Sequence, residues 1–116
     1  MPLITHITPR ANWEAAQVRG AYRAASLDSE GFIHFSTPQQ LGATANRFYR
    51  GQTHLVLLVV DTDRLTADLR YESPTHETIP GEQFPHLYGE LNLDAVTRVI
   101  DFPPNPDGTF AAPDSL

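Results

Sequence analysis

The chain has 116 residues with a net charge of −6, enough length for one domain with a core of its own. It contains no cysteine, which excludes a disulfide framework, a thiolate metal centre and a cysteine nucleophile. Every one of its eight bases is Arg, so Schiff-base and phosphate-loop lysines are excluded, and the acidic balance argues against binding duplex nucleic acid.

Residues 3–8 read as a strand ending at Pro9, with Thr8 as N-cap of a first helix and Pro9 at its first position. That helix carries Trp13, Ala16 and Val18 and stops at Gly20. Residues 21–31 read as irregular. Residues 32–36 predict a second strand, with Phe32 and His34 on one face and Ile33 and Phe35 on the other. Thr37-Pro38-Gln39-Gln40 is a capping box, in which Thr37 caps and Gln40 reaches back. The second helix aligns Leu41, Ala45 and Phe48 on one side and ends at Gly51.

Residues 54–60 are nearly all apolar and predict a central strand buried on both faces. A polar turn over 61–67, a short strand over 68–73 and a loop over 74–81 follow. Residues 84–88 are extended, and Pro85 places them at an edge or a bulge. A turn near 94–96 leads into a last strand over 97–102.

Helices that come early and strands that crowd the end predict an α+β fold: two early helices packed on a mixed, mainly antiparallel sheet. Residues 1–102 form the expected globular domain and 103–116 an irregular Pro-rich tail. No basic leader or membrane-length apolar run is visible, so no membrane partner is expected and the cytoplasm is the expected compartment. The oligomeric state is left open.

Charge divides unevenly along the chain. Residues 1–60 hold five Arg against three acids, and residues 61–116 hold three Arg against eleven acids. Ordinary solvated surface accounts for this, and an anion-binding surface on the first half is the sharper alternative.

Histidine carries the strongest chemical signal. His6 and His34 each lie mid-strand, beside hydroxyl residues and just before a Thr-Pro step. A strand histidine must find partners or lose hydration, and helix starts favour anions. The pair is therefore a candidate site, with satisfied core histidines as the alternative. The segment from Gly81 to Glu90 adds Glu82, His86, Tyr88 and Glu90, which share one face if the run stays extended. Arg23 is a candidate anion contact. A metal site of His6, His34 and His86 has no support from sequence spacing, so no metal is expected.

Several stretches together resemble the family catalogued as domain of unknown function 952. They are Ile4-Thr5-His6-Ile7-Thr8, Trp13-Glu14-Ala15-Ala16, residues 26–37, residues 45–51, residues 55–61 and residues 81–89. Phe35 and Glu90 are atypical for that pattern. The motif order in turn resembles small members of the ADP-ribosyltransferase-like fold, which implies a split sheet and NAD as the substrate. On that resemblance His6 and Thr8 fill a ribose-binding place, and His34, with Ser36 beside it, lines the nicotinamide pocket. Glu82, His86 and Tyr88 compete for the third place, and Arg23 or the helix starts at Thr8 and Thr37 would hold pyrophosphate. The implied function is a transferase acting on NAD with a small-molecule or nucleotide ligand. The alternatives are a non-catalytic nucleotide- or anion-binding module and a histidine metal site.

Overall fold

A computed structural model describes residues 2–73, 81–113 and 116. In chain order its elements are β1 (Leu3–Pro9), α1 (Arg10–Arg19), β2 (Ala21–Tyr22), α2 (Ala25–Ser29), β3 (Ile33–His34), α3 (Leu41–Phe48), β4 (Leu55–Asp61), β5 (Asp68–Glu72), β6 (Phe84–Tyr88), β7 (Leu91–Asn92) and β8 (Val96–Asp101). Single 3-10 turns lie at Thr62–Arg64 and Leu93–Ala95. The fold is α+β with few helices. The expected sheet is mixed and mainly antiparallel, and every strand pairing among the described residues is antiparallel.

The Val and Leu run of β4 is buried at every position, as its lack of a polar face requires. It lies between β1 and β8. Alternation sends Val56, Leu58 and Val60 into one core with Ile4, Trp13, Tyr22, Phe35 and Leu87. Leu55, Leu57 and Val59 enter a second core with Ile7, Leu41, Ala45, Phe102 and Phe110. Helices α1 and α3 therefore cover opposite faces of one sheet. A second sheet has the order β3-β6-β5, and β2 pairs with β7. Among the described residues the two three-stranded sheets join at one bridge: Thr5 N–H donates to Ser36 O at 2.7 Å, and Ser36 N–H to Thr5 O at 2.8 Å.

Several local expectations are corrected. Strand β1 continues through Pro9, because Thr8 and Pro9 pair with Val56 and Leu55 and Arg10 N–H donates to His54 O. Thr8 is thus no helix cap, whereas Gly20 ends α1 as expected, at φ 92°. The stretch 21–31 is not irregular and holds β2 and α2. The second strand shortens to Ile33–His34, since Ser36 leaves β6 to bridge Thr5. Helix α3 starts only at Leu41, yet Gln40 Oε1 accepts Thr37 N–H at 3.0 Å, so the returning half of the capping box forms.

Phe48 does not pack with Leu41 and Ala45 but is 60% exposed, and Tyr49 packs on the second core instead. Strand β6 is no edge, for it lies between β3 and β5. Pro85 is tolerated there because its N and C=O face β3, which is ending. Phe35 N–H still donates to Pro85 O at 3.0 Å, and the ladder stops. His54 stands exposed at the start of β4, with φ 63°. The expected loop over 74–81, and His76 within it, lie outside the described residues apart from Gly81. Residues 102–113 carry no helix or strand. Phe110 stacks on Phe102 within the second core, and its amide N–H donates to Asn46 Oδ1 at 2.7 Å.

Candidate functional site

A cleft of about 600 Å³ opens where the two sheets part beside the Thr5–Ser36 bridge. That volume suits a ligand of nucleotide size. His6 and Thr8 from β1, His34 and Ser36 from the β3 region, and His86 from β6 all border it. Pro9 at the end of β1, Asn12 of α1, and Thr44 and Phe48 of α3 border it as well.

His6 is the buried member. Its Nδ1 lies 2.6 Å from the His34 carbonyl oxygen, and its Nε2 lies 2.7 Å from the Tyr22 hydroxyl. A carbonyl only accepts, so Nδ1 carries the proton and Nε2 the lone pair. Tyr22 has one proton and gives it to Nε2. Thr8 Oγ1, 2.9 Å from the phenol oxygen, then donates to Tyr22. The result is an ordered chain from Thr8 through Tyr22 and His6 to the β3 backbone. Burial, only partly offset by the hydrogen bond to His34, pushes the His6 pKa down to about 4, so the ring is neutral at physiological pH. Burial also pushes the Tyr22 phenol up. Tyr22→Phe removes the link and leaves two buried polar groups without a partner. It is expected to cost about 1–3 kcal/mol, read by urea unfolding.

His34 and His86 are directly opposed across β3 and β6, which brings their rings to 5.4 Å, edge to face. His34 is half exposed, and its Nε2 donates to Glu30 Oε2 at 2.8 Å. Phe32 shares its face, as alternation predicts, with the rings 4.9 Å apart. His86 is buried, stacks on Phe32 at 4.1 Å and donates from Nδ1 to Glu72 Oε1 at 2.9 Å. Tyr88 donates to the same oxygen at 2.5 Å. The bonds from Tyr88 and then His86 hold the Glu72 carboxyl below the usual range, and the same contact raises the Tyr88 phenol.

The remaining candidates lie elsewhere. Tyr88 reaches the cleft only through Glu72 and His86, and Glu82 and Thr37 do not border it. The shared face of residues 82–90 holds for His86 and Tyr88, because only Phe84–Tyr88 is a strand. Arg23 is exposed and bonded to Asp28 and Glu90. Arg10 pairs with Asp101 and Arg19 with Glu90, so basic residues of the first half meet acids of the second. Among the described residues no three His, Asp or Glu side chains converge as a metal cluster.

Tyr22, Glu30 and Glu72 are not among the site residues expected from the sequence, and Phe48 reads there as a core residue rather than a cleft residue. Glu30 precedes His34 by four residues, a signal that was present. Glu72 meets His86 only through strand pairing, and nothing local announces it.

The family model described as "Protein of unknown function (DUF952)" matches residues 7–99. The crystal structure of protein CC0527 from Caulobacter crescentus is 39% identical, with a TM-score of 0.83 over 94% of this chain and 93% of that one. The solution structure of the same protein is 39% identical with a TM-score of 0.82, covering 100% of this chain and 97% of that one. No curated protein matches the chain at a significant level. Among the described residues no helix is long and apolar enough to cross a membrane.

Proposed function

Because the chain belongs to the DUF952 family of proteins of unknown function, its activity has to be argued from its site, and we propose that it is an ADP-ribosyltransferase-like enzyme that binds NAD in this cleft. The observation that carries the reading is the meeting of His6, His34 and His86 with the hydroxyls of Thr8 and Ser36 around one cavity. These residues come from well-separated stretches of the chain. Packing alone gives no reason for three imidazoles to gather there.

The roles follow from exposure and bonding. Both nitrogens of His6 are engaged inside the protein, so His6 orients the Tyr22 and Thr8 hydroxyls, and these meet the ribose. His34 offers an accessible ring beside Phe32, a surface on which a flat cationic nicotinamide stacks. The start of α1 brings Pro9 and Asn12 to the cleft, and the positive end of its helix dipole suits the diphosphate. The reaction fits a chain without cysteine or lysine. Nicotinamide departs as a neutral molecule, so the protein needs to hold positive charge on the ribose rather than supply a thiol or amine nucleophile.

Titration with NAD to millimolar concentration, followed by histidine proton shifts, is expected to move His34 strongly and His6 weakly. Silence at both would refute the reading. A non-catalytic nucleotide-binding module is the second reading, favoured by the internal satisfaction of His6. It predicts the same shifts without release of nicotinamide.

A further inference from the structure

We propose that Glu72 is a positioning residue that fixes His86 as the proton acceptor of the cleft. The inference rests on the NAD reading and adds where the reacting proton goes. Strand register places Glu72 opposite Phe84 and Arg70 opposite His86, so Glu72 reaches His86 diagonally on one face of the sheet. A single carboxylate oxygen holds both the imidazole, at 2.9 Å, and the Tyr88 hydroxyl, at 2.5 Å. An ionised carboxylate only accepts, so the neutral His86 ring carries its proton on Nδ1 and a lone pair on Nε2. Among the described residues nothing hydrogen-bonds to Nε2, while the ring borders the cleft.

The ring is held on every side. Phe32 stacks on it with an interplanar angle of 19°, and His34, itself bonded to Glu30, meets it edge to face. Arg70 lies over the Tyr88 ring at 4.3 Å and is bonded to Asp68, which leaves the Glu72 carboxylate as the charge in contact with the imidazole. A buried imidazole with one nitrogen tied to a carboxylate and the other facing a ligand cavity has the arrangement of a general base.

A hydroxyl acceptor, an alcohol or water, gives its proton to His86 Nε2 while its oxygen bonds to the anomeric carbon of the ribose. The bond from that carbon to the nicotinamide nitrogen breaks, and its electron pair leaves with neutral nicotinamide. His86 becomes an imidazolium against Glu72 and later returns the proton to water.

Nitrogen-15 spectra of histidine-labelled protein test the assignment without relying on turnover. The wild-type protein is expected to show His86 as the Nδ1–H tautomer, with its Nε2 signal moved by NAD. Glu72→Gln, of the same shape, is expected to mix the tautomers and lower kcat for nicotinamide release roughly 10–100-fold, with KM for NAD unchanged. Tyr88→Phe keeps the tautomer. An Nε2–H tautomer in the wild type, or an unchanged kcat in Glu72→Gln, overturns the proposal. So does NAD binding that shifts His34 but leaves His86 silent, or binding without nicotinamide release; both leave NAD binding intact. No shift at any histidine removes the NAD reading and this inference together.

Discussion

Stability is expected to fall by about 3 kcal/mol as pH drops from 7 to about 4, because of His6 alone. Burial lowers its pKa from 6.5 to about 4 in the folded protein. Between those values the unfolded chain binds a proton that the native ring refuses, so acid favours unfolding. The contribution is fully present above the unfolded value and is lost progressively as pH falls toward the folded one. The cause is structural: protonation would put a second N–H on Nε2, which now accepts from Tyr22. The Tyr22 and Thr8 protons would both have to turn around inside a buried network.

Urea unfolding at about pH 7, 5.5 and 4.5 reads the effect in wild type and in His6→Gln, whose side chain does not titrate. The variant is expected to lose most of the slope in this window. Equal slopes in the two proteins would remove His6 as the cause. Glu72 and Glu90, whose carboxyls are held below the usual range by their hydrogen-bond partners, stabilise the fold above that range. Their own loss begins as pH falls through the ordinary carboxylate value of 4.5, so it overlaps the acid end of the window, and the difference between wild type and His6→Gln is what isolates the imidazole.

The second large effect is expected at Leu58. It is fully buried in the middle of β4, faces the core of Ile4, Tyr22 and Phe35, and is the register partner of His6 across β1. Leu58→Ala is expected to cost roughly 2–5 kcal/mol, through lost transfer energy and a cavity bounded by strands too firmly paired to collapse. The cavity also lies under His6. Water admitted there would relieve the burial that holds the imidazole neutral, so the variant is expected to show a shallower acid slope than wild type as well as lower stability. A cost below about 1 kcal/mol would mean that the two sheets close over the gap.

Much of this arrangement was readable from local pattern. The unbroken apolar run of residues 55–60 required cover on both faces, and the structure provides it with one helix on each side. Gly20 closes α1, and alternation puts Phe32 and His34 on one face. These outcomes depend on periodicity and on the φ freedom of glycine, which neighbours in the chain decide. The failures are of another kind. Thr8 was assigned to a helix cap, but pairing with β4 carries the strand past it, and its hydroxyl serves Tyr22 instead. Phe48 has the spacing of a core residue and lines the cleft. Pro85 marked an edge, yet its strand is central because β3 ends where the missing N–H falls.

The sequence by itself thus determined the family resemblance, the α+β class and the presence of histidines in strands. Only the tertiary structure decided what those histidines touch. His6 finds Tyr22 sixteen residues away, and His86 finds Glu72 fourteen residues away. Neither partner lies on the same strand, and no helical or strand period connects them. A hydrogen bond needs two atoms within about 3 Å. Across separate strands that distance is set by register and sheet order, which the cores impose and which no local pattern encodes.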